Sequence, residues 1–582
     1  MNDIKTNYQI AKEEADKVDE QIIDILQHGY SFRVEAGAGS GKTYSLKRVI
    51  DWIQNNKFDE YNRKKQSVVC ITYTNVAVEV IAERLTTGSF IIPSTIHSFA
   101  WESIKQYQSK LIDIIKENER FKTTEGDFSE ILEVQYTLGH RYKENGVLHL
   151  YHDDVIFLFC TLLDNEKFRR IFSDKYPLIL IDEYQDSFES IIERFLKYFI
   201  SKNTGPQFGF FGDSWQTIYQ SNKTCGLIDH ENLRVINKIS NFRSSPKIVK
   251  FLNDIRPELQ QISAENDYEG EVVVVTCEDY KGSRRTDRFF KDELPIEELK
   301  DRIDTLSNHI KQQVPLDEKL KVLMITHRVL AAQQGYEKLL DCLSNGLRDK
   351  KDVFIEFFMD TIEPIYKSLK NQNMQLLFDA LKIKRYPITS KLDKIKWKEL
   401  EEQLDVARKQ NGIDVIKIAV ESHLIPVPQA ILGYYEMYFT APETTYSNTT
   451  IENFLNLEYE EFLAVIDFLY PESKFSTEHG VKGEEYDNVI FVIGRGWNQY
   501  QFEKYIPMIK NGIDIGKEAA YVRNRNLFYV CCSRPKKRLI LFVSVPLNNS
   551  FKTFLTELVG EENIFTYSEY IARKESKSFL ME

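Results

Sequence analysis

"VEAGAGSGKTYSLKRVI", residues 34–50, decides the fold. It leaves an apolar run, turns through closely spaced glycines and enters a helical pattern, the context a phosphate-binding loop needs. Gly37, Gly39 and Gly41 let backbone amides crowd a polyphosphate at a helix N-terminus. Lys42 can then reach the terminal phosphates, and Thr43 offers a hydroxyl to Mg²⁺. Ala36 stands where the strict pattern has its first glycine. With Ala38, Ser40 and Tyr44 it completes the stretch expected to wrap a nucleotide, so ATP and Mg²⁺ are the expected cofactors.

Outward from the loop, apolar runs bounded by turn residues alternate with amphipathic segments: "YSFRVEA" (30–36), "QSVVCITYT" (66–74), "PLILIDE" (177–183) and "QFGFFGD" (207–213). Buried parallel strands separated by helices give this pattern, so the fold class is α/β. From about 100 to 175 helical spacing takes over. A second strand set follows at "EVVVVT" (271–276), "KVLMIT" (321–326), "NVIFVIG" (488–494) and "RLILFVSV" (538–545), interrupted by a mostly helical stretch. The expected division is a first α/β domain at 1–95 and 170–238 with a helical insertion at 96–169. A second domain at 239–344 and 471–582 has its own helical insertion at 345–470. No internal sequence repeat is visible.

The chain has 582 residues, 42% hydrophobic and 28% charged, which is ample for several packed cores. Its seven cysteines form no CxxC pair, which argues against a disulfide framework or a zinc ribbon and fits a reducing cytoplasm. The N-terminus lacks an apolar signal segment, and no apolar run approaches the roughly 20 residues that span a bilayer, so no membrane association is expected. A net charge of -12 speaks to solubility more than to binding, which depends on local potential in a cleft.

"LILIDEYQD" supplies a second element of chemistry. Asp182 at the end of an apolar strand can hold the Mg²⁺ shell, and Glu183 can orient and deprotonate a water. "GFFGDSWQTIYQS" (209–221) ends another strand at Asp213, beside the expected metal site, then sets Gln216 where it can sense a terminal phosphate and Tyr219 one helical turn beyond.

"AGAGSGKT", "DEYQDS", "GDSWQTIY", "NFRSS", "TEHGVKGEEYDNVIFVIG" and "NLFYVCCSRP" occur in the order of the motifs of UvrD/Rep/PcrA-like superfamily-1 DNA helicases, which the chain resembles over both α/β domains. "YHDDVIFLF" (151–159) is similar to the segment by which that family leaves its first insertion. The resemblance implies two RecA-like P-loop NTPase domains, each interrupted by a mainly helical insertion, with ATP between them and single-stranded DNA across their top. It implies 3′ to 5′ movement on single-stranded and tailed duplex DNA. Carried over by position, Gln21 would read adenine and Phe242 would stack on it. Arg243 and Arg534 would meet the γ phosphate from the second domain, and Glu485 would bond the ribose. Lys42, Glu183 and Gln216 complete the catalytic set. Tyr73, Asn75, Thr95, His97 and Tyr219, with Thr477, His479 and Lys482, would face DNA.

Departures are visible too. Val76, Tyr44 and Ser221 replace a lysine, an arginine and an aromatic of the family, so base stacking looks thin, and whether Trp215 compensates is left open. The basic stretch "LKIKRYPITSKLDKIKWKEL" (381–400), with Tyr386 and Trp397 interleaved, is a candidate duplex-facing patch. No nuclease pattern follows "RLILFVSV", so any nuclease is expected on a separate polypeptide. Two functions follow from the resemblance: a helicase or translocase acting alone, and a DNA-sensing ATPase subunit that regulates a partner nuclease in antiphage defence, as in compact Gabija-like members.

Overall fold

Strands buried on both faces need helices on both sides, and the apolar runs around the loop meet that demand. The computed structural model describes residues 5–83, 85, 89–121, 131–137, 141–218, 224–288, 290–324, 331, 334–342, 352–381, 390–440, 448–469, 475–477, 483–495 and 500–573. Strands β1 (Phe32–Ala36), β2 (Val68–Thr72), β3 (Ile91–Thr95), β7 (Leu178–Asp182), β8 (Gln207–Gly212) and β9 (Arg234–Lys238) form one sheet in the order β3-β2-β7-β8-β1-β9. Every pairing in it is parallel.

β12 (Glu271–Thr276), β13 (Leu320–Met324), β14 (Phe475–Thr477), β15 (Tyr486–Ile493), β16 (Pro535–Val543) and β17 (Ile564–Thr566) form a second six-stranded sheet, ordered β14-β13-β15-β16-β12-β17. It too is parallel throughout. Numbered within each sheet by chain order, both run third, second, fourth, fifth, first, sixth. The architecture is thus mixed α/β with two parallel sheets of identical strand order, a repetition of topology with no counterpart in visible sequence repeat.

Each sheet buries apolar side chains on both faces. In the first, Val69, Ile179 and Phe208 face one core, while Phe32, Val34 and Leu180 face the other. The second sheet is divided in the same way, and Ala38, Trp215 and Ile218 from the first half pack into one of its cores.

The segment between β3 and β7 is not purely helical. Besides the helices Ile96–Ile104, Gln108–Glu117, His152–Leu163 and Glu166–Lys175, it holds β4 (Glu133–Tyr136), β5 (Tyr142–Glu144) and β6 (Val147–Leu150) in a three-stranded sheet. Strands of three or four residues are too short for alternation to register in the sequence. Asp154, in the motif that leaves this segment, is buried and held by Arg141 and Arg120.

Between β13 and β14 the described chain is helical and carries its own core, including Phe358, Leu400, Ile416 and Phe462. Trp397 belongs to that core. It therefore does not stand among the exposed lysines of the basic stretch, and Tyr386 lies outside the described residues.

Candidate active site

In a parallel sheet all C-terminal strand ends share one edge, and ligands of open α/β sheets bind outside that edge. The first sheet gathers five functional turns there: the glycine loop after β1, Tyr73 after β2, Thr95 at the end of β3, Asp182 and Glu183 at the end of β7, and Asp213 to Gln216 after β8.

The loop is shaped by its glycines. Gly39 has φ 74° and Gly41 φ 78°, the left-handed region that side chains disfavour. A Cβ on Gly39 would also stand 2.7 Å from the Cβ of Arg243 and 2.8 Å from Asn241 Oδ1. The second half therefore lies directly on the loop. Asn241 Nδ2 and Gln261 Nε2 each donate to the Ala38 carbonyl at 3.0 Å, and the Phe242 amide donates to the Gly39 carbonyl at 2.8 Å. Ala36, Gly37, Ala38 and Ser40 are buried, and Ser40 Oγ is a buried hydroxyl without a hydrogen-bond partner among the described residues.

Lys42 opens the helix Lys42–Lys64 and spans both carboxylates of the β7 turn, with Nζ 3.2 Å from Asp182 and in close contact with Glu183. Burial disfavours the ammonium, but the two carboxylates outweigh it and hold Lys42 protonated well above its usual range. Glu183 has φ 50°, a left-handed conformation costing about 1–3 kcal/mol for a non-glycine residue. Such strain is retained where it aims a side chain. Gln185 Nε2 donates to Glu183 Oε2 at 2.5 Å, and Gln185 Oε1 accepts from the Asp213 amide at 3.2 Å. The β7 and β8 turns are thereby joined. Thr43 is exposed in the first helical turn. Exposed Thr43, partly buried Asp182 and the orphaned Ser40 hydroxyl fit a Mg²⁺–nucleotide.

Two arginines reach this edge from the other half. Arg534 is 1% exposed, and its guanidinium donates to the carbonyls of Val530 and Glu484, to Ser533 Oγ and, at 3.4 Å, to Gln216 Oε1. Among the described residues it has no carboxylate partner. Burial first, and the neighbouring Arg243 second, push it down to about 9, so it stays charged at neutral pH. A buried cation with only neutral acceptors lacks an anion. Arg243 donates to Glu485 at 3.2 Å and to the Ser533 carbonyl at 3.0 Å, and Lys536 pairs with the other Glu485 oxygen. Burial works against the Glu485 carboxylate, but Lys536 and Arg243 prevail and hold it below the usual range.

Phe242 is half-exposed beside Gly41 and meets Tyr8 edge-to-face at 6.2 Å, while Tyr44 is exposed. Gln21 stands two residues from a buried carboxylate. It is exposed on the helix Asn7–Gln27, two residues and hence about 200° around the axis from Asp19. Asp19 is the residue of that turn which faces the loop helix. It accepts a hydrogen bond from Ser45 and pairs with Arg48 and with buried Lys238.

Asp213 is held by Arg256 in a buried ion pair at 2.6 Å. Trp215 is 7% exposed, packed between Arg256 and Arg525 and against Tyr529, so it offers no face to a base. Sequence reasoning missed Glu35, Arg256, Gln185 and Gln261. Only Gln185 lies inside a recognisable motif.

Of the residues expected to face DNA, Tyr73 is 52% exposed and Asn75 is exposed at the start of the helix Asn75–Ala82. Thr95 caps the helix Ile96–Ile104 by accepting from the Ser98 amide. His97 turns inward, 4.7 Å from His152 and edge-on to Phe188. Burial, and then His152, push it down to about 4. Thr477 ends β14. Tyr219, His479 and Lys482 lie outside the described residues.

Known proteins match this arrangement. An AAA domain is matched at residues 19–222. Two helicase relatives cover part of the chain. The ATP-dependent DNA helicase Rep of Buchnera aphidicola is 28% identical over 38% of this chain and 42% of its own, and a probable DNA helicase II homolog of Mycoplasma capricolum is 24% identical over 55% and 50%. These matches support a UvrD/Rep-like superfamily-1 helicase, a class of ATP-dependent DNA enzymes. Within that class it is similar along nearly its whole length to the Gabija protein GajB of Bacillus cereus, at 24% identity over 94% of this chain and 98% of that protein. Among the described residues no helix is long and apolar enough to cross a membrane.

Proposed function

We propose that the chain is an ATP-driven motor on single-stranded DNA that moves 3′ to 5′. Its two RecA-like domains would comprise residues 1–95 with 170–238 and 239–344 with 471–582, and its insertions 96–169 and 345–470. The observation that carries this reading is Arg534: a wholly buried guanidinium from the second half, without a carboxylate partner among the described residues, set against Gln216 of the first.

In the proposed cycle the amides of the glycine loop and Lys42 take the β and γ phosphates of ATP. Thr43 and Asp182 would hold Mg²⁺, which supplies charge neutralisation across those phosphates. Glu183 accepts a proton from the attacking water as its oxygen bonds the γ phosphorus. The bond to the ADP oxygen breaks, and Arg243 and Arg534 stabilise the spreading charge. Because those arginines come from the other half, hydrolysis depends on closure. Phe242, with Tyr44 nearby on the loop helix, would flank the base, and Glu485, once released from Arg243, would bond the ribose. Tyr73, Asn75, Thr95, Tyr219, Thr477, His479 and Lys482 would contact the strand, with His97 supporting their loop from within.

Full-length similarity to GajB favours a second reading, in which the chain is a DNA-sensing ATPase subunit that regulates a separate nuclease in antiphage defence. ATP turnover measured with and without single-stranded DNA, and strand displacement on 3′-tailed and 5′-tailed duplexes, separate the two. Stimulated turnover with displacement of 3′-tailed duplexes is expected for the motor. Stimulated turnover without displacement favours the regulatory subunit, and DNA-independent turnover overturns both.

A further inference from the structure

β1 is an interior strand of a parallel sheet and buried along its length, yet two of its five residues are charged, and Glu35 lies just before the glycine loop. Its partner is far away in sequence. Arg256, just past the helix Pro246–Ile255 of the second half, is 2% exposed. Its Nη2 donates to Glu35 Oε1 at 2.7 Å, and its Nη1 donates to Asp213 Oδ1 at 2.6 Å. The rings of Trp215 and Tyr529 lie 5.1 and 5.4 Å from the guanidinium. One planar fork thus grips β1 and the turn after β8 of the first sheet at once.

The grip continues to Gln216. Asp213 Oδ2 accepts from Gln216 Nε2 at 2.8 Å, which leaves Gln216 Oε1 toward Arg534. Glu35 is fastened as well, since it accepts from Tyr184 Oη at 2.6 Å and from Ser214 N and Oγ at 2.9 and 2.7 Å. Burial alone would push its carboxyl up, but Arg256, Tyr184 and Ser214 outweigh that and hold it ionised. Holding two halves together requires no such network, because apolar residues of similar volume serve as well or better than buried ion pairs. A fork adds fixed direction.

We propose that Arg256 is a positioning residue: by gripping Asp213 and Glu35 together it fixes the Gln216 amide toward Arg534 and ties that orientation to closure of the second half over the phosphate loop. This rests on the hydrolytic reading of the site given above. Lysine at 256 would keep the charge but lose the fork, so it reaches one carboxylate and releases the other.

The test is a double-mutant cycle on ATP turnover by the full chain with saturating single-stranded DNA. Arg256→Lys is expected to lower kcat about 10-fold or more while leaving KM for ATP within about 3-fold, the mark of an interaction realised in the transition state. Gln216→Ala lowers kcat by itself, and in that background Arg256→Lys is expected to change kcat less than about 2-fold, because the group it positions is gone. Equal fold-losses in both backgrounds, or an unchanged kcat for Arg256→Lys, overturn the proposal. Should Arg256→Lys fail to fold, Glu35→Gln provides the same cycle with a smaller expected loss, again absent without Gln216. Lys42→Ala run in parallel keeps the two ideas apart. Turnover that survives Lys42→Ala defeats the hydrolytic reading, whereas turnover lost there together with additive losses at 256 and 216 defeats only the positioning role.

Discussion

The two sheets share one strand order, but their C-terminal edges are finished in opposite ways. After β1 the chain turns through Gly37, Gly39 and Gly41, the last two with left-handed φ. After β12 it turns at Cys277, whose carbonyl accepts from Arg284, and the same arginine reaches the Ser544 carbonyl beyond β16. β7 ends in Asp182 and a strained Glu183. β15 ends at Gly494, against which the 2%-exposed Glu293 is packed, accepting from the amides of Arg495 and Leu294. The crevice that holds catalytic groups on one sheet is filled by protein on the other. The second sheet instead serves the site from its N-terminal edge, where Glu485 precedes β15 and Arg534 precedes β16. Topology supplies a frame, and the turns decide which edge of it does chemistry.

The largest expected effect tests that asymmetry directly. Lys42→Ala should lower ATP turnover by about 100-fold or more, since charged donors at a transferring phosphoryl group are worth that much. Equilibrium dialysis should show one tight nucleotide per chain in the parent and none in the variant. A second tight site that survives Lys42→Ala would mean that the edge around Glu293 is not plugged, and the contrast would fall.

Arg534→Met sharpens the same contrast by separating function from stability. Removing an arginine that meets the γ phosphate should cost turnover about 1,000-fold. Among the described residues, however, the folded state holds this guanidinium without a carboxylate, at a cost that shows as its value pushed down to about 9. Methionine fills similar volume without that cost, so calorimetry should show a melting temperature equal to or above the parent's, within a few degrees. A large loss of stability would place Arg534 among the residues that hold the halves together.

Much of this was legible in the sequence, for a physical reason. β2, β7, β8 and β12 are continuous apolar runs, the signature of strands covered on both faces. The edge strands β3 ("IIPST") and β9 ("RVINK") were not read, because a proline in one, and exposed Arg234 with buried Lys238 in the other, break the pattern there. In the site, Lys42, Asp182, Glu183 and Arg534 stand in contiguous motifs whose spacing states their chemistry. Arg256 and Glu35 do not. A charge in an apolar-looking segment carries no information until its partner, 221 residues away, is known.

The smallest effect concerns the contrast within the first sheet between turns that face ligand and those that face protein. His97 follows β3 on the catalytic edge, yet its ring packs on His152 and Phe188, with the Asp153 carboxylate nearby on the same helix as His152. Its value is pushed from 6.5 to about 4, so between those values the unfolded chain binds a proton that the folded chain refuses. Stability therefore falls as pH drops through that window and is unaffected by this group above it. His97→Gln should remove on the order of 1 kcal/mol of that loss, after allowance for the ring's partial exposure to screening solvent. Denaturant titrations at pH 7.5 and pH 5 check it: the variant's stability difference between the two should be smaller than the parent's. An identical difference would show that the ring titrates as an exposed histidine does, which would return His97 to the ligand-facing side of the edge.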